Sequence, residues 1–135
     1  MILVDTSVLV DFLKGSTTKS TSDFDYILDA GIPYGINYYI YQEILQGART
    51  IHEFQSLKEY LETIPFLYLI GGKDSYEQAA LMNLNCRRSG ITIRSTIDLL
   101  IARTAIEHDA WLLHNDKDFV NLAGVIPELK LYERV

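Results

Sequence analysis

The sequence contains one cysteine, Cys86, among 135 residues. A lone thiol closes no intrachain disulfide, and without a Cys-x-x-Cys pair or a Cys/His set there is no zinc site to expect. Basic charge is also scarce: twelve Lys and Arg stand against eighteen Asp and Glu, a formal net charge of −6. Indiscriminate adhesion to DNA or to an acidic membrane surface is thereby disfavoured, and a nucleic-acid role needs a local basic rim or bound cations. No apolar run approaches the roughly 20 residues of a membrane span, and Met1-Ile2-Leu3-Val4-Asp5 carries no basic leader or cleavage motif. These absences predict a cytoplasmic protein outside the membrane.

What is present suits a folded domain. Hydrophobic residues make up 48% and charged residues 22%, the balance of an ordinary globular protein. The length predicts one domain over residues 1–135.

Ile2-Leu3-Val4 reads as a buried strand feeding a helix whose apolar stripe is Val8, Leu9, Phe12 and Leu13. Gly15 and the Ser/Thr-rich stretch Ser16 to Ser22 predict a loop, followed by a short helix through Phe24, Ile27 and Leu28. A strand is expected around Tyr34 to Ile36, helices over Tyr38 to Ala48 and through Phe54 to Leu61, and a strand over Thr63 to Leu69. Beyond Gly71-Gly72, Ala79 to Leu84 suits a helix. Ile97, Leu100, Ile101, Thr104, Ala105 and His108 recur at helical spacing from about 96 to 108. Trp111 to Leu113 resembles another buried strand, Phe119 to Leu122 a helical turn, and Leu129 to Tyr132 a last strand. Strands alternating with helices imply a parallel α/β sheet covered on both faces, with its ligand site beyond the carboxyl ends of the strands.

Carboxylates gather where that rule directs attention. Asp5 follows the first apolar run; Asp116 and Asp118 follow Trp111 to Leu113. Each also suits a helix cap, the commonplace role of Asp at such positions. Glu43 shares a helix face with Ile40, Ile44 and Gly47 or else lies outward beside Gln42 and Gln46; periodicity allows both. Asp98, three residues after Ser95, fits a capping box and also borders the buried face. Separate segments thus each bring a carboxylate to a strand end or inner helix edge. Like charges so placed cannot all ionise unless a divalent cation neutralises them, and an all-oxygen donor set selects Mg²⁺ or Mn²⁺ over zinc. Carboxylate-held Mg²⁺ suits phosphodiester hydrolysis. His52, His108 and His114 are scattered and form no Ser/His/Asp triad.

The opening Ile2-Leu3-Val4-Asp5-Thr6-Ser7, the segment Tyr41-Gln42-Glu43-Ile44, the run Asp98-Leu99-Leu100-Ile101-Ala102 and the stretch Leu112 to Phe119 follow one another in the order and spacing of a known family. On these residues the chain resembles PIN-domain ribonucleases, most closely the VapC type of toxin found in toxin–antitoxin pairs. The resemblance implies a single PIN domain with a Rossmann-like parallel sheet of order 3-2-1-4-5 covered by helices on both faces. It also implies a Mg²⁺- or Mn²⁺-dependent endoribonuclease, a cognate antitoxin partner and a homodimer. Asp5, Glu43, Asp98 and Asp116 would be the catalytic acids, with Asp5, Asp98 and Asp116 on the metal. Thr6 and Asp118 would support them from behind. One departure is His114, where related chains commonly carry Thr or Ser before Asn115-Asp116.

Lys14, Arg49, Arg87, Arg88, Arg94 and Lys117 are candidates for an RNA-facing rim, densest from Arg87-Arg88 to Arg94, with Arg94 and Lys117 singled out. Tyr38, Tyr39 and Tyr41 suit base stacking, a protein interface or core packing. The competing reading is a PIN-like module that holds RNA or a partner without cleaving. A phosphotransfer protein fits less well, since Ser7 stands where a dehalogenase-type phosphatase needs its second Asp.

Overall fold

In the computed structural model, residues 1–134 are described. The chain runs β1 (Ile2–Val4), α1 (Thr6–Leu13), α2 (Lys19–Asp29), β2 (Tyr34–Gly35), α3 (Tyr38–Gln46) and α4 (Ile51–Leu61). It continues through α5 (Lys73–Arg88), α6 (Thr96–Glu107), β3 (Trp111–Leu113), α7 (Lys117–Val125) and β4 (Lys130–Leu131). Among the described residues no helix is long and apolar enough to cross a membrane.

The strands form a four-stranded parallel sheet in the order β2-β1-β3-β4. Helical crossovers are what parallel neighbours require; α1 packs on α2 and α3, α4 on α3, and α5, α6 and α7 on one another, with α3 also against α6. β1 and β3 read as continuous apolar runs because the central strands are covered on both sides: Leu3, Val4 and Leu112 have no solvent exposure.

The expected five-stranded 3-2-1-4-5 sheet is therefore corrected. The Thr63–Leu69 segment makes a single parallel bridge, Ile36 to Phe66, outside the sheet's strands. Ile36 N–H donates to the Pro65 carbonyl at 3.0 Å and Leu67 N–H to the Ile36 carbonyl at 2.8 Å. The ladder stops there for two reasons. Pro65 has no N–H to give, and β2 is cut short by Asn37, which caps α3 by accepting from Ile40 N–H. Gly35 is required at this edge, since a Cβ would lie 2.8 Å from the Pro65 carbonyl oxygen.

Other expectations shift at element boundaries. Half of the predicted Ser/Thr loop is helix, because Thr18 and Thr21 form a reciprocal capping box that starts α2 at Lys19. α5 begins at Lys73, well before Ala79, once Gly72 adopts φ +57°. The turn expected at Phe119 is a full helix, α7.

Two features of this fold position the site. First, the β1–β3 register pairs Val4 with Leu113, and Asp5 N–H donates to the Leu113 carbonyl at 2.9 Å, so the residues after both strands leave the sheet side by side. Second, buried Asn37 donates to Thr104 Oγ1 at 3.1 Å, and Thr104 donates to the Leu100 carbonyl at 2.8 Å. This polar link is sequestered from water, where a missing partner costs about 1–3 kcal/mol, and it fixes α3 against α6.

Candidate metal centre

Asp5 ends β1 and caps α1. Its Oδ2 accepts from Ser7 N–H at 3.1 Å and from the Ser7 hydroxyl at 2.6 Å. The capping role read from the sequence is real, and it does not exclude the other role: the carboxylate is buried, and burial raises its pKa against the lowering effect of these bonds, with the charge of Asp116 adding to the rise. Glu43 faces inward on α3. It accepts from the Thr6 hydroxyl at 2.8 Å; burial raises its pKa, the Thr6 bond opposes this, and the Asp5 charge adds to it.

Asp98 lies in the first turn of α6, where the helix dipole favours an anion. The capping-box expectation fails here, since the Ser95 side chain makes no cap bond. Instead Asp98 is pushed up to about 7, chiefly by burial and then by the charges of Asp5, Asp116, Glu43 and Asp118. Every acid singled out in the sequence thus acts on this one carboxyl group.

Asp116 caps α7 by accepting from Asp118 N–H at 2.9 Å. Its own N–H donates to His114 Nδ1 at 3.1 Å, so a neutral His114 carries its proton on Nε2. Burial lowers the His114 pKa against the raising effects of Asp5 and Asp116, and its ring packs on Phe119 with centroids 5.4 Å apart. Asp118 is buried and meets Arg94, with Nε to Oδ2 at 3.3 Å and Nη2 to Oδ1 at 3.4 Å.

Asp98, Asp116 and Asp118 each offer a carboxylate oxygen within 4.8 Å of the others. Asp5 and Glu43 border this triad through the charge effects just described. Oxygen-only donors at this spacing, with too little positive charge to balance them, fit a hard divalent cation. The sequence-level ligand set named Asp5, Asp98 and Asp116, and gave Asp118 a supporting place; the tightest grouping includes Asp118.

The basic residues scatter. Lys14, Arg49, Arg87, Arg88, Arg94 and Lys117 are all exposed, and of them Arg94 pairs with an acid of the cluster. Lys14 and Arg49 instead line a groove of about 400 Å³ with Val10, Leu13, Ile44 and Leu57. Tyr38 and Tyr39 line a different pocket with Tyr68 and Tyr76, pairing hydroxyls with them at 3.4 and 2.9 Å, while Tyr41 packs its ring on Phe66.

Sequence reasoning missed Ser7 and the Asn37–Thr104 link. A signal for Ser7 existed, because a hydroxyl two residues after a capping Asp is within reach of its carboxylate. Nothing in the spacing of Asn37 and Thr104 announces a contact 67 residues apart.

Comparison with known proteins shows the family. The family model for the PIN domain matches residues 2–125. The chain is 31% identical over 126 residues to the VapC ribonuclease Mb1587 of Mycobacterium bovis, covering 93% of each chain. The same values hold for ribonuclease VapC11 of Mycobacterium tuberculosis. Among solved structures, it is similar in fold to VapBC2 from Rickettsia felis bound to a promoter DNA fragment, with TM-score 0.74, 21% identity and 100% of each chain covered. It is also similar to FitAcB from Neisseria gonorrhoeae, with TM-score 0.70, 18% identity, and 98% and 97% of the two chains covered.

Proposed function

The chain belongs to the PIN-domain family, closely related to its VapC members, and from that premise we propose that it is a metal-dependent endoribonuclease acting as the toxin of a toxin–antitoxin pair. The observation that carries this reading is the acid cluster at the switch point of the sheet, where Asp98, Asp116 and Asp118 bring carboxylate oxygens within 4.8 Å of one another and burial, then the neighbouring acids, raise Asp98 to about 7.

Asp98, Asp116 and Asp118 would hold Mg²⁺ or Mn²⁺, with Asp5 completing the set. When bound, the cation supplies charge neutralisation at the phosphodiester and an activated water. Glu43 would accept a proton or orient a water, and the Thr6 hydroxyl, bonded to Glu43 Oε1, leaves Oε2 for that role. The Arg94 guanidinium uses two of its N–H groups on Asp118 and leaves others for an RNA phosphate; Lys117, exposed at the start of α7, extends the same rim.

An antitoxin partner is supported by the names of the structural relatives, among them a toxin–antitoxin complex from Klebsiella pneumoniae, and a homodimer belongs to the same proposal. The deciding experiment is incubation of a total-RNA pool with wild type and Asp5→Asn, with Mg²⁺ or Mn²⁺ and with EDTA, followed by mapping of product ends. Cleavage that needs both Asp5 and metal and leaves 5′-phosphate and 3′-hydroxyl ends is expected. Equal inertness of both proteins, with metal or partner binding retained, would favour the non-cleaving binding module.

A further inference from the structure

The first turn of α1 does more than begin a helix. Thr6 reaches Glu43 on α3, and the next residue, Ser7, joins the ends of β1 and β3. Its hydroxyl lies 2.6 Å from Asp5 Oδ2 and 3.0 Å from the backbone nitrogen of Asn115. A serine hydroxyl has one proton. Because the Asn115 N–H is itself a donor, Ser7 Oγ must accept there, so its own proton is committed to Asp5 Oδ2. Ser7 N–H addresses the same oxygen at 3.1 Å.

The Asn115 backbone leads directly into Asp116, and the Asn115 side chain donates to Asp11 Oδ2 of α1 at 3.2 Å. Asn115, the residue just before Asp116, is therefore tied to α1 through both its backbone and its side chain. We infer that Ser7 is a positioning residue: its hydroxyl fixes the rotation of the Asp5 carboxylate and couples it to the Asn115-Asp116 turn, so that acids from two strand ends reach a divalent cation in one preset arrangement.

This inference rests on the metal-centre reading proposed above. Replacing Ser7 by Ala removes one of two donors from Oδ2 and leaves the Asn115 N–H without its acceptor, while the Ser7 backbone bond remains. Thr at this position keeps a hydroxyl. Partners that orient metal ligands are typically worth roughly 10-fold or more in metal affinity.

The test is calorimetric titration of Mn²⁺ into wild type, Ser7→Ala and Ser7→Thr, together with amide exchange at Asn115 in the metal-free proteins. Ser7→Ala should bind Mn²⁺ about tenfold more weakly and lose protection at the Asn115 amide, and Ser7→Thr should restore most of both. Exchange at core amides such as Leu112 reports whether the variant is folded. Unchanged Mn²⁺ affinity in a folded Ser7→Ala, or a Ser7→Thr as weak as Ser7→Ala, overturns the inference. Wild type that binds Mn²⁺ yet leaves RNA intact defeats the nuclease reading alone; wild type that binds no Mn²⁺ defeats both.

Discussion

The two ends of α6 carry a carboxylate each, and the fold treats them in opposite ways. At the C-terminal end, burial would push Glu107 up, but the Ser75 side chain, the Ile70 N–H and Arg103 draw it below the usual carboxylate range. The Ile70 bond is 2.7 Å and the Arg103 bond 2.9 Å. At the N-terminal end burial, and then the surrounding acids, push Asp98 up to about 7. One carboxylate is paired by the protein itself; the other has acids for neighbours, which on the proposed reading a cation would balance. Buried charge that is paired supports structure, and buried charge left unpaired marks a place where a ligand completes the balance.

The sharpest way to break this contrast is to neutralise each end separately. Asp98→Asn should lower RNA cleavage by roughly 100-fold or more while leaving the Tm unchanged or higher, because it removes repulsion. Glu107→Gln should do the reverse, losing about 1–3 kcal/mol of stability with cleavage within about twofold of wild type. Thermal melts and initial rates on the same preparations check both.

A smaller effect is expected from pH. The folded pKa of Asp98 lies above its ordinary value, so between about 4 and 7 the folded state binds more protons than the unfolded one. Stability of the metal-free protein should therefore fall as pH rises through that window, and the fall should be shallower in Asp98→Asn. Denaturant midpoints taken across the window measure it, and a rise with pH from this group would contradict the assignment.

The smallest effect belongs to Arg94, whose side chain is 76% exposed and whose bond to Asp118 is screened accordingly. Arg94→Ala should raise the KM for RNA a few-fold, flatten its salt dependence and leave the Tm alone. A drop in Mn²⁺ affinity instead would move Arg94 from the RNA rim to the support of the metal site.

How much of this was legible beforehand follows the same division between local and distant causes. Asp5, Asp98 and Asp116 stand out because the apolar runs beside them are continuous, so a carboxylate at their edge is conspicuous. Glu43 was ambiguous on periodicity, and only the Thr6 bond across 37 residues turns it inward. The sheet was misjudged at one edge, where Thr63 to Leu69 has strand-like composition and Pro65 limits it to a single bridge. Asn37 and Thr104 look like ordinary polar residues until the packing of α3 on α6 buries them. Side chains acting on their own segment could be read; those defined by what packs against them could not.

The most direct measurement of the central claim is titration of Mn²⁺ into wild type and Asp98→Asn at pH 7 in two buffers of different ionisation enthalpy. Saturable binding with net proton release in wild type, lost in Asp98→Asn, is predicted, since the ion displaces the proton that Asp98 holds near this pH. Absence of saturable binding, or binding with the same proton count in both proteins, would contradict the claim that the unpaired end of α6 is built to receive a cation.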